Sequence, residues 1–114
     1  MRELVFSKIF FEDTDASHKY IKETLEAPRA AEDLKRELLE KLDYIKENPR
    51  SRPLVCDEFL ASLGVRSIKV KNYLIFYGIE DGRGDGRFVN VFRFMHGKRN
   101  WMSILKEKPL DEIM

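Results

Sequence analysis

The chain has 114 residues, enough for one hydrophobic core and too few for two, and its 21 basic and 20 acidic residues leave a net charge of +1. That balance does not by itself point to a nucleic-acid binder, and the apolar runs fall far short of the roughly 20 residues that a membrane-spanning helix needs. The one cysteine, Cys56, has no partner for an intramolecular disulfide and no signal-peptide pattern is present, so one domain over residues 1–114 in a reducing cytoplasm is expected.

From Glu3 to Phe11 the β-branched and aromatic content predicts an N-terminal strand. Glu12, Asp13, Thr14 and Asp15 then gather capping side chains, which predicts a helix from about Asp15 to Leu25 with Ala16, Tyr20, Ile21 and Leu25 turned to the sheet. His18 lies in that helix without a second ligand at metal-binding spacing. Pro28 suits the first turn of a second helix running to about Glu47. Ala31, Leu34, Leu38, Leu42 and Ile45 line one face of it. On the exposed side, Glu32 with Arg36 and Glu37 with Lys41 stand at i,i+4. The apolar stripe follows a 3.6-residue period and is read as core packing rather than a coiled-coil seam.

Asn48 to Pro53 break the helix and link it to Leu54–Leu63, where a short helical turn is expected before Gly64. Three strands follow. Arg66 to Lys71 alternates polar and apolar side chains; Tyr73 to Ile79 is apolar on both faces and belongs in the middle of a sheet; Phe88 to Met95 is a third strand interrupted by Arg93. The glycines and aspartates of Glu80–Gly86 predict a hairpin loop. Trp101, Ile104 and Leu105 mark a short C-terminal helix, and Glu107 to Met114 are expected to be loosely held. The fold class is therefore α+β, in the order β-α-α-β-β-β plus a short helix.

The chemistry concentrates at one place. His96, Gly97, Lys98 and Arg99 end the last strand, and the sheet half carries Arg66, Lys69, Lys71, Arg83, Arg87, Arg93, Lys98 and Arg99 against Glu80, Asp81 and Asp85. A solvated strand face with salt bridges to the helices would read the same way. No phosphate-cradling loop, nucleophile elbow or zinc spacing is present, so no metal or cofactor is expected, and Cys56 reads as a small buried thiol.

The segment Gly64–Val70, the strand Asn72-Tyr73-Leu74-Ile75-Phe76-Tyr77 and the close Phe92-Arg93-Phe94-Met95-His96-Gly97-Lys98-Arg99-Asn100-Trp101, in this order, resemble the RelE/ParE superfamily of type II toxin–antitoxin toxins. The resemblance implies a toxin encoded beside a small antitoxin whose C-terminal segment covers the basic face. It also implies one of two activities, metal-independent mRNA cleavage on the ribosome (RelE-like) or poisoning of DNA gyrase (ParE-like); a relic that only binds its antitoxin is a third reading. For cleavage, His96 and Arg99 are the catalytic candidates; for contact with a target or RNA the candidates are Arg66, Lys69, Lys71, Arg93, Lys98 and Arg99. RelE-type nucleases carry arginine after the tyrosine of the middle strand, where this chain has Leu74. They also place a tyrosine beyond the Lys-Arg pair, where Trp101 cannot relay a proton. These departures favour the ParE-like reading.

Overall fold

The first strand stops at Ser7. The computed structural model describes residues 2–80 and 87–107, so most of the expected 80–86 loop and of the expected 107–114 tail lies outside it. Glu3–Phe6 forms β1, and Ser7, buried at 2% exposure, caps the following helix. Its Oγ accepts the Phe10 N–H at 3.0 Å and donates to the Phe92 carbonyl at 2.6 Å. Helix α1 therefore spans Lys8–Lys19, seven residues ahead of the expected start, and Glu12 to Asp15 lie inside it instead of capping it. The strand-like composition of Ile9, Phe10 and Phe11 loses to a buried cap and to the helical placement of Phe10 in the core, the usual outcome when tertiary burial opposes β propensity.

Tyr20–Thr24 widens into a π turn, with the Leu25 N–H reaching the Tyr20 carbonyl at 3.0 Å, and Glu26 at φ 50° completes the reversal. Helix α2, Pro28–Glu47, begins and ends as expected, and its stripe from Ala31 to Ile45 is buried. The expected i,i+4 pairs are not made. Arg36 turns to Asp33, Glu32 faces His18 Nε2 at 3.4 Å, and Glu37 accepts the Lys71 backbone N–H at 2.7 Å. An exposed ion pair is worth at most about 1 kcal/mol, so the partner each acid meets is set by how the helices and sheet dock.

Beyond the linker come α3 (Glu58–Ser62), β2 (Arg66–Val70), β3 (Tyr73–Glu80), β4 (Phe88–His96) and α4 (Trp101–Glu107). Asp57 caps α3 by accepting the Leu60 N–H and also pairs with Lys106 of α4 at 2.7 Å. The Lys106 bond, with that N–H, holds the Asp57 carboxyl below its usual range. Cys56 is exposed, contrary to expectation, because it follows buried Val55 in an extended segment whose successive side chains alternate. Lys71 leaves its strand at φ 55° and forms the turn with Asn72.

The sheet order is β1-β4-β3-β2, with β1 parallel to β4 and the other pairs antiparallel. Its two faces carry separate cores. On one, Phe10, Leu34, Leu38, Leu42 and Ile45 of α1 and α2 meet Ile68, Val70, Ile75, Tyr77, Val89, Val91 and Phe94. On the other, Leu60, Leu105 and Val55 meet Phe76, Phe92 and Met95. Tyr73–Glu80 is buried on both sides, as its composition predicts.

One irregularity decides which way Arg93 faces. Phe76 pairs with Arg93 but Tyr77 with Val91, so Phe92 is an extra residue in a β-bulge. Strict alternation from Val89 and Val91 would send Arg93 into the helical core, whereas the bulge places Phe94 there. Phe92 folds over Gly78, where an added Cβ would lie 3.0 Å from the Phe92 ring, so glycine makes room for the bulge.

Candidate functional site

Two turns meet at one end of the sheet. The Gly97 N–H donates to the Asn72 carbonyl at 2.8 Å, which ties the chain after β4 to the β2–β3 turn. His96 pairs across the strands with Tyr73, and the rings meet edge to face with centroids 5.1 Å apart. The Lys98 backbone N–H donates to His96 Nδ1 at 3.1 Å, and the Arg99 N–H to the His96 carbonyl at 3.0 Å. An Nδ1 that accepts a backbone N–H is unprotonated, so the neutral ring carries its proton on Nε2. His96 thus organises the turn that presents Lys98 and Arg99, both exposed.

Lys69 stands on β2, which β3 separates from β4. Ile68 and Val70 point into the helical core, so Lys69 between them faces the other side, paired in register with Leu74. Leu74 packs against the second core, and its Cδ1 lies 3.9 Å from where a Cβ on Gly97 would stand. Lys69, Lys98 and Arg99 therefore lie at the same end of the sheet, and among the described residues none forms an ion pair with a carboxylate. Trp101, the first residue of α4, packs on the second core with its ring 5.0 Å from that of Phe76.

The other three cations named from sequence have protein partners. Arg66 donates to the Arg52 carbonyl; in register it stands opposite Tyr77, four residues and roughly 13 Å along β3 from the Tyr73–His96 pair. Lys71 Nζ lies 3.9 Å from Glu37. Arg93 is held by Asp13 of α1 through Nε at 2.7 Å and Nη2 at 3.1 Å, with both side chains only 11% exposed. Asp13, Tyr73 and Arg52 thus surround these residues, although sequence reasoning assigns them no site role. Tyr73 is legible as a strand residue, but nothing in the sequence links Asp13 to Arg93, 80 positions away.

A second surface feature is an apolar groove of about 390 Å³ between α1 and α2. Phe10, Leu34, Leu38 and Phe94 form its base, with Phe11 (52% exposed) and Leu39 (58% exposed) at its rim. Among the described residues no cluster of three His, Cys, Asp or Glu side chains could hold a metal ion, and no helix is long and apolar enough to cross a membrane.

Residues 4–101 match the family model described as the ParE toxin of the type II toxin–antitoxin system parDE. The chain belongs to the ParE toxin family. A solved structure titled as a chromosomal ParDE toxin–antitoxin system from P. aeruginosa superposes with a TM-score of 0.65 at 15% identity, over 84% of this chain and 96% of the other. At that identity the likeness is one of fold. Comparison with curated proteins gives no match. Membership accounts for the element order expected from sequence, and the alkyl group at Leu74 is consistent with the ParE rather than the RelE branch.

Proposed function

We propose that this ParE-family toxin arrests growth by binding a macromolecular target, DNA gyrase foremost, through Lys69, Lys98 and Arg99, and that a cognate antitoxin neutralises it. The observation that carries this reading is the set of three cations at one end of the sheet without acid partners among the described residues, two of them on the turn that His96 organises. Cations presented on a rigid turn suit recognition and steering of an acidic surface. The groove between α1 and α2 supports the antitoxin partner, since exposed Phe11 and Leu39 above an apolar floor fit the anchors of an amphipathic helix.

Expression without antitoxin tests the proposal. Growth arrest with an SOS response and gyrase-linked DNA breaks is expected, with potency reduced about tenfold or more by Lys98→Glu with Arg99→Glu and little changed by His96→Asn, whose amide oxygen can replace Nδ1 as the acceptor of the Lys98 N–H. Leu39→Asp is expected to weaken a co-expressed toxin–antitoxin complex while leaving arrest intact. Prompt loss of translation with cleaved mRNA, abolished by His96→Ala, would replace this reading with the RelE-like endonuclease. Normal growth would reduce the protein to an antitoxin-binding relic.

A further inference from the structure

Strand β1 accompanies β4 only as far as the Phe6–Val91 pair, while β4 continues to His96. From Phe92 onward the outer edge of β4 has no strand beside it among the described residues, and unpaired edge groups must find other partners. Helix α1 and its cap supply them with side chains. Ser7 Oγ donates to the Phe92 carbonyl, and Asp13 Oδ2 accepts the Phe94 N–H at 3.0 Å. The same carboxylate takes the Arg93 guanidinium at both of its oxygens. Asp13 therefore serves as a surrogate strand acceptor, with Arg93 compensating its charge at a position that is nearly closed to solvent.

We infer that Asp13 and Arg93 act as one latch that fixes the end of β4, so that Arg93 positions the cationic turn from His96 to Arg99 and does not itself touch a target. Phe94, whose N–H the latch holds, precedes His96 by two residues, and His96 in turn carries the Lys98 and Arg99 amides. For Arg93 to reach a ligand it would have to abandon two charge-assisted bonds and leave the Asp13 carboxylate uncompensated at 11% exposure. The bulge at Phe92 is what makes the arrangement possible. It turns Arg93 out of the helical core and hands that place to Phe94. The inference rests on the proposed role of Lys98 and Arg99 for its functional consequence only.

The test is a double-mutant cycle with Asp13→Ala, Arg93→Ala and the two combined, read by amide exchange and by growth arrest, and backed by Asp13→Asn and Arg93→Lys should the alanine variants fold poorly. If the residues form one latch, each single change raises exchange at Phe94, Gly97 and Arg99 by about tenfold or more, and the double variant exchanges no faster than either single. Arrest falls in step for Asp13→Ala and Arg93→Ala, and Asp13→Asn, which keeps a carbonyl acceptor but loses the charge, lies between. Unchanged exchange at Gly97 and Arg99 in the Asp13 variants would overturn the inference. So would an Arg93 variant without toxicity beside a fully toxic Asp13 variant of equal thermal midpoint, since Arg93 would then be contacting the target. If the wild-type protein does not arrest growth, the proposed function fails, and the exchange cycle still decides for or against the latch.

Discussion

Phe94→Ala is expected to lower stability by about 3–5 kcal/mol, a large share of the roughly 5–15 kcal/mol that holds a typical domain together. Phe94 is 2% exposed, stacks on Tyr73 with centroids 4.9 Å apart and 7° between planes, and meets Phe10 edge on at 6.3 Å. Truncation would remove the transfer free energy of the ring and both aromatic contacts, and it would leave a void where strand, helix and groove floor converge. Phe11, half exposed one residue after Phe10, provides the control: Phe11→Ala should cost less than about 1 kcal/mol, because much of its ring already faces water. Urea unfolding of both variants gives the comparison directly. A loss below about 1.5 kcal/mol for Phe94→Ala would mean that the core refills and that Phe94 does not anchor the bulged strand.

The second expected result concerns alkaline pH. Tyr77 is fully buried and donates its hydroxyl hydrogen bond to the Pro49 carbonyl at 2.9 Å, pinning the linker after α2 onto the sheet. Burial pushes its hydroxyl up from 10.0 to about 12, against the opposing pull of the Arg66 and Arg52 cations. Between those two values the unfolded chain has released the proton and the folded chain has kept it, so stability falls as pH rises through the window. Below pH 10 the contribution is complete; by pH 12 on the order of 2 kcal/mol should be gone. Tyr77→Phe is expected to be less stable than wild type at neutral pH by about 1–2 kcal/mol, since it leaves the Pro49 carbonyl unpaired, yet to lose less between pH 10 and 12. The informative quantity is the difference between the two stability curves, because everything but the Tyr77 hydroxyl is common to both. Parallel curves across that window would show that the Tyr77 hydroxyl is not the group responsible.

Much of the architecture was legible along the chain. Pro28 and the stripe from Ala31 to Ile45 delimit α2 correctly, because a long amphipathic helix announces itself by period and punctuation alone. The two-sided apolar composition of Tyr73–Ile79 places that strand inside the sheet for an equally local reason, and the short helix at Trp101 follows from spacing. The ordered segments from Gly64 to Trp101 carry a family resemblance that the family match confirms. Misjudged elements share one feature, which is that a distant partner decides them. Ser7 ends β1 because Phe92 offers its carbonyl, 85 residues away. Cys56 is exposed because Val55 has a buried place to fill. Glu37 leaves Lys41 because the β2–β3 turn presents Lys71.

The sheet from Arg66 to His96, its α+β setting and the cations at its end were determined by the sequence itself, since strand alternation and helical periodicity are local properties of the chain. Only the tertiary structure sorted those cations into partnered and unpartnered. Six candidates look alike in one dimension. In three, Arg93 is bound by Asp13, Lys71 by Glu37 and Arg66 by a carbonyl, while Lys69, Lys98 and Arg99 stand without an acid among the described residues. The physical reason is that a charge's role depends on which group lies within a few ångströms of it, and one bulged residue, Phe92, is enough to change which side of a strand a guanidinium faces.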